Sequence, residues 1–447
     1  MKTRGFGTMV YRENLGVARE WNERRWAMVK RTRVAWVATL AGLALGLCLF
    51  GLLLPAQAKT TSDQAAAILY WPKIVVDGSA TDTVIRLGNT CAPQVAGNPC
   101  FSLSATNPVN GMKQAHCFYV DANSHCSNNL SQVCSNPVLD CGGAGSCVPG
   151  WNEIDFDIVL TKQQPLVWYA SSGLGQGDFP LETPGRCDSP PNRVCTSDYE
   201  CSSHCIKQAS NLGSGIPPVP EDPFVGSLQC IEYDPNGNPP GPDQSSTTNT
   251  LEGEATIESL TTKSPPASAV DLATYSAVGV KYVGATPGSG NQLVLDGSQY
   301  DSCPTRLILD HLFDIQTPVT STTDLTLVPC GNDFLSQTCG TATAQFVVFN
   351  EFEQRFSTSR LVDCFLETAL SNIDTPDSSR SIFSFAVSGT LAGETYIHPV
   401  GTAPTGRGLV GVARLLAPGS GQSSAYSLDD GGSPTAPAAQ PDIITIP

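Results

Sequence analysis

Chemistry would come most readily from the places where cysteines crowd. "CDSPPNRVCTSDYECSSHC" at 187–205 puts four of them into a Ser- and Pro-rich stretch, and 126–147 repeats the pattern. Cys126-x7-Cys134-x6-Cys141-x5-Cys147 matches Cys187-x7-Cys195-x5-Cys201-x3-Cys205, each with a valine (Val133, Val194) before its second cysteine. Zinc ligation, thiol redox chemistry and disulfide cross-linking all use such clusters. His116, His125 and His204, close to cysteines, speak for a metal. Three features speak against it: beyond residue 58 there is no C-x-x-C and no C-x-x-C-H, the export argued below favours oxidation of thiols, and the histidines keep no common spacing to the two knots. Cross-links that limit the unfolded freedom of a loop too polar to order itself are the expected role. Cys91, Cys100, Cys117, Cys230, Cys303, Cys330, Cys339 and Cys364 bring the total beyond residue 58 to sixteen, an even number that suits complete pairing. No metal and no cofactor is expected.

Other chemistry is sparse. There is no G-x-S-x-G, H-E-x-x-H or phosphate-cradling glycine loop, and the five histidines (116, 125, 204, 311, 398) sit in no triad setting. No catalytic residue is therefore assigned. Asp155 and Asp157 share one face of a strand, and a glycosidase needs only two suitably placed carboxylates; a solvated outer face is the preferred reading. "YDPNGNPPGPD" (233–243) is oxygen-rich but lacks the carboxylate spacing of a calcium loop, so a hairpin turn is preferred. Weak binding candidates are Trp168 and Tyr169, which as strand neighbours point to opposite faces. Glu351 and Arg355 are two more, at the charged end of "FVVFNEFEQRFSTSR", read as an edge strand.

The elements that must position these residues are strands. "EIDFDIVL" alternates Ile154, Phe156, Ile158 and Leu160 with Glu153, Asp155, Asp157 and Val159, giving one buried and one wet face. Similar runs recur with turn signals between them and no long amphipathic helix. A short helical turn is expected at "TKQQPLVWYAS", where Thr161 and Gln164 fit a capping box. The expected fold is all-β: two antiparallel immunoglobulin-like β-sandwich domains, 59–285 and 286–416, with disulfide-rich loop inserts at 126–147 and 187–205. Two Thr-Asp runs, "TDTVIRLGNTC" and "TDLTLVPC", each lead into a cysteine spacing, Cys91-x8-Cys100 and Cys330-x8-Cys339, and hint at a duplication. A long hairpin over "RSIFSFAVSGTLAGETYI" (380–397) belongs to the second set, and 417–447, rich in Gly, Ser and Pro, is expected to be disordered.

Residues 1–58 read as an export signal. Val34–Leu54 is apolar, follows Lys30, Arg31 and Arg33, and ends at the cleavable Pro55-Ala56-Gln57-Ala58. Met28 is a normal signal start, so 1–27 are expected to derive from a misplaced start codon. A retained membrane anchor is the alternative, since the stretch is long enough to span. Residues 1–58 hold nine of the 25 basic and three of the 41 acidic residues, so 16 basic and 38 acidic remain, a net charge of −22. Such a surface repels phosphate backbones and excludes nucleic acid as a partner. The only membrane contact expected is through the N-terminal segment, if uncleaved.

"LTLVPCGNDF", "FVVFNEFEQRFSTS" and "GRGLVGVA" resemble segments of uncharacterised secreted β-rich proteins of environmental bacteria, and the four-cysteine knots resemble inserts in such proteins. The resemblance implies export and fold but no activity. The leading expectation is a non-enzymatic extracellular structural or recognition protein, secreted, periplasmic or at the cell surface, with an unknown partner. Its alternatives are an extracellular hydrolase with a carboxylate pair and a calcium-dependent adhesive module. An acidic, aromatic, concave cleft would favour the hydrolase; flat wet sheets would favour a structural role.

Overall fold

The computed structural model describes residues 64–90, 113–148, 152–160, 163–175, 215–233, 248–260, 269–284, 291–315, 321–401, 408–417, 422–430 and 441–447, with single gaps at 79, 135 and 144, and parts of 178–206. Residues 1–58, read above as an export signal, Cys91 and Cys100, and all but Tyr233 of the oxygen-rich 233–243 loop lie outside them. Among the described residues no helix is long and apolar enough to cross a membrane.

The protein is all-β. The chain begins with β1 (Ile68–Val76), β2 (Thr81–Asn89) and β3 (Lys113–Asp121), then the first knot's β4 (His125–Cys126), β5 (Asn129–Val133) and β6 (Cys147–Val148). Next come β7 (Asn152–Leu160), β8 (Pro165–Tyr169) and the second knot's β9 (Gly185–Cys187), β10 (Val194–Cys195) and β11 (Cys205–Ile206). The first sandwich closes with β12 (Phe224–Tyr233), β13 (Leu251–Leu260), β14 (Ala269–Ser276) and β15 (Val278–Val280). After β16 (Gln292–Leu295) the second is built from β17 (Leu307–Leu312), β18 (Thr322–Pro329), β19 (Thr341–Asn350), β20 (Arg355–Asp363), β21 (Leu366–Ala369), β22 (Ala392–Val400), β23 (Leu409–Ala417), β24 (Gln422–Ser427) and β25 (Asp429–Asp430). β26 (Asp442–Thr445) returns to pair with β16.

Sheet order exposes a duplication. The first sandwich has sheets β15-β1-β12-β3-β7 and β14-β13-β2-β8; the second has β25-β17-β22-β19-β20 and β24-β23-β18-β21. Numbering each set of nine from its own first strand gives the same order in both. The registers align residue by residue: Gly226 faces Asp121 as Gly393 faces Asn350, and Gly253 faces Leu87 as Gly411 faces Leu327. Thr83 bonds the backbone of Val75 through its hydroxyl, and Thr323 does the same to Leu312. The true match is thus Thr83 with Thr323. The Thr-Asp runs align two residues out of register, a shift that keeps every side chain on its face.

Within each sandwich alternate residues meet across the two sheets. Trp71, Ile85, Tyr119, Ile158, Trp168, Leu228 and Ile257 belong to the first core; Leu309, Leu325, Phe346, Val362, Ile397 and Ala413 belong to the second. Gly253 is required by close approach, since a Cβ there would lie 2.2 Å from the Trp71 ring. A third core joins the halves: Ile68, Tyr70, Phe118 and Val280 pack with Leu293, Tyr300, Phe334, Val410 and Ile444. This explains why β1 is buried on both faces. Ala58–Pro447 form one compact unit, and the expected boundary at 285/286 lies outside the described residues.

Several expectations need correction. The tail is not uniformly disordered: β24 and β25 complete the second sandwich, and Ile444 of β26 and Ile446 just after it are buried in the third core. "PLVWY" is strand β8, paired with β2, and not a helical turn, because Leu166 and Trp168 are needed in the core. In 380–397 only β22 is a strand; single helical turns at Ser378–Arg380 and Phe385–Ser388 precede it. "FVVFNEFEQRF" is not one edge strand but the hairpin β19–β20. Asn350 makes the turn, its Oδ1 accepting from the amides of Phe352 and Gln354.

All fourteen described cysteines are in disulfides. The two knots share one connectivity, first to third and second to fourth: Cys126–Cys141 with Cys134–Cys147, and Cys187–Cys201 with Cys195–Cys205. Cys117–Cys230 ties β3 to β12. Cys330 and Cys339 do not join each other, but bond Cys303 and Cys364 respectively.

Candidate functional site

A concave feature lies on the second sandwich, where the ends of β17, β19 and β22 meet the β19–β20 turn. It encloses about 800 Å³ and carries Asp310, Glu351, Glu353 and Glu394 around Phe349 and Tyr396, with Leu312 and Leu415 as apolar floor. Antiparallel register makes it. Glu394 of β22 lies between Asp310 of β17 and Phe349 of β19, so two carboxylates 84 positions apart in sequence become neighbours on one face. Gly393 keeps the floor low, since a Cβ there would stand 2.7 Å from both the Phe313 ring and the Phe349 carbonyl. The turn then lifts Glu351 and Glu353 over the rim; Glu353 takes a left-handed φ of 59°.

The aromatic rings are held edge to face, Phe349 to Tyr396 at 5.8 Å, and the Arg306 guanidinium lies 5.3 Å from the Tyr396 ring centre. A hydrogen bond with Glu394, and its charge, raise the Tyr396 hydroxyl above its ordinary range, so the phenol stays protonated. Asp310 is exposed and Glu394 half-buried. Behind them His311 is buried, its Nε2 2.9 Å from the Thr395 hydroxyl, and burial lowers it to about 4, leaving a neutral imidazole. The lining contains no lysine or arginine. Such a surface can receive positive charge on its carboxylates and flat or aliphatic surface on its rings.

Of the four weak binding candidates, Glu351 lines the cleft and Arg355 starts β20 opposite Phe349. Trp168 does not bind anything external: it is core, and its indole N–H donates to the Tyr119 hydroxyl at 2.7 Å. Tyr169 is 45 % exposed but belongs to the first sandwich. Asp155 and Asp157 do not face each other over a cleft. His116 lies between them, with Nδ1 3.0 Å from Asp157 and Nε2 3.5 Å from Asp155. Their neighbour Glu153 is pushed up to about 7 by burial and then by Asp155. Sequence reading missed Asp310, Glu353, Glu394 and Tyr396. The one available signal was the alternation Glu394, Tyr396, His398 along β22.

No family model and no curated protein matches the chain. Among solved structures it is similar to the crystal structure of the CupB6 tip adhesin from Pseudomonas aeruginosa, at 9 % identity over 86 % of this chain and 93 % of that chain; with a TM-score of 0.11, this likeness carries no argument.

Proposed function

We propose that the protein is an exported, non-enzymatic recognition protein whose two immunoglobulin-like sandwiches act as one rigid carrier for the acidic, aromatic cleft. The cleft receives a cationic ligand, such as a lysine- or arginine-bearing segment of an extracellular partner. The observation that carries this reading is the lining: four carboxylates bracket two rings, with no lysine or arginine among the lining residues. The seven described disulfides fit an oxidising compartment. A panel of short peptides, cationic, neutral and acidic, together with neutral oligosaccharides, tests the reading by calorimetric titration. Cationic peptides alone should bind, and more weakly as salt rises; binding confined to oligosaccharides would overturn it.

A hydrolase is the second reading, favoured by the cross-strand pair Asp310 and Glu394 beside aromatic walls. A glycosidase needs one carboxyl kept protonated by burial. Exposed Asp310 and half-buried Glu394 lack that enclosure. Turnover of glycoside substrates that disappears in Asp310→Asn and Glu394→Gln would reverse the order of the two readings.

A further inference from the structure

The first sandwich carries a different cluster on the equivalent rim. Asp121 ends β3 at the position Asn350 holds in β19, His125 opens the first knot, and Glu221 precedes β12. His125 Nε2 lies 3.0 Å from Glu221 Oε2 and 3.7 Å from Asp121 Oδ2. Asn123 occupies the other oxygen of each carboxylate: its backbone N–H donates to Asp121 Oδ1 at 2.8 Å and its side-chain amide to Glu221 Oε1. The remaining oxygens therefore turn toward the imidazole. Asp121 is 1 % exposed, and its Oδ2 is buried with no hydrogen-bond donor. At the equivalent place in the second sandwich the Asn350 amide is satisfied, donating to Gln354 Oε1 and the Ser388 carbonyl, each at 2.8 Å. Replacing that donor by a second acceptor calls for positive charge at this spot. The imidazole has a single Nε2 proton to give, and the nearer of the two carboxylates is Glu221.

We propose that Asp121, His125 and Glu221 bind a divalent transition-metal ion, zinc foremost. Ligand atoms around an ion with bonds of ~2.0–2.2 Å stand roughly 3–3.5 Å apart; the two distances from His125 Nε2, 3.0 and 3.7 Å, bracket that range. One imidazole nitrogen with two carboxylate oxygens suits zinc, whereas calcium takes oxygen ligands. Asn123 supplies the outer hydrogen bonds that hold both carboxylates in a ligating pose. The cysteines of the adjoining knot do not compete, because all four are in disulfides. The ion lashes the knot to the sandwich rim.

The test uses the whole exported protein without a histidine tag, loaded with Zn²⁺, desalted and assayed for metal by mass spectrometry. About one zinc ion per chain is expected. His125→Asn and Glu221→Gln should each weaken retention by about 10-fold or more. Wild type loaded with Co²⁺ should show the visible spectrum of nitrogen and oxygen ligation without thiolate charge transfer. That measurement decides the matter even if the variants misfold. Wild type that retains no ion, a thiolate band, or unchanged retention in a folded Glu221→Gln protein would each overturn the proposal.

Discussion

The ammonium of Lys73, in the first sandwich, is ion-paired with Glu367 of the second. A bulge between Trp71 and Ile74 swings Lys73 out of the β1 register, and the Tyr275 hydroxyl bonds its backbone on both sides. Lys73 is 2 % exposed and Glu367 only partly so. Glu367→Gln therefore strands a buried cation and should destabilise the protein by about 3 kcal/mol, whereas Lys73→Met should cost less. Because the pair and the third core join both halves, thermal unfolding should remain a single calorimetric transition. Two separated transitions in the wild type would contradict the joined architecture.

Acid should weaken the second sandwich through His311. Its folded pKa, lowered by burial to about 4, lies below the ordinary 6.5. The stability linked to the neutral ring is thus complete above pH 6.5 and is lost as pH falls toward 4, to a limit of roughly 3 kcal/mol. Urea midpoints at pH 7 and pH 4.5 should move apart in the wild type and draw together in His311→Gln.

Glu153 has the opposite sign. Burial raises it to about 7 against an ordinary 4.5, so its contribution is most favourable below pH 4.5 and is lost as pH rises through 7. Glu153→Gln should stabilise the protein at pH 8 and make little difference at pH 4, as read by melting temperature.

Disulfides should differ by where they close the chain. Cys195–Cys205 spans 10 positions inside a knot, and Cys117–Cys230 spans 113 between central strands of the first sandwich. Cys195→Ser with Cys205→Ser should open the knot locally and leave cleft binding unchanged. Cys117→Ala with Cys230→Ala should lower stability by about 4 kcal/mol. Melting temperatures and peptide titrations on both variants separate the two cases.

How much of this was legible in the sequence follows from the range of the interactions. The knots were, because their spacing repeats over a short span, and so was β7, whose alternation is local. The duplication was visible only in outline, because Thr-Asp is a weaker register marker than Gly253 and Gly411, whose roles depend on the close approach of sequence-distant side chains, Trp71 at the first and Leu327 at the second. The β19–β20 turn was hidden because it runs Asn-Glu-Phe-Glu-Gln without glycine or proline. The cleft could not be read at all: Asp310 and Glu394 meet only through cross-strand register. The tail's Gly, Ser and Pro content masked the alternation of Ile444 and Ile446.

The central claim is that the carboxylates of the cleft recognise positive charge. The most direct measurement is calorimetric titration of an arginine-rich peptide into wild type and into a Glu351→Gln/Glu394→Gln double variant, each at low and high salt. The account predicts wild-type binding that weakens with salt, at least ~10-fold weaker binding in a variant of unchanged melting temperature, and a shallower salt dependence in that variant. Equal affinity in the two proteins, or affinity indifferent to salt, would contradict it.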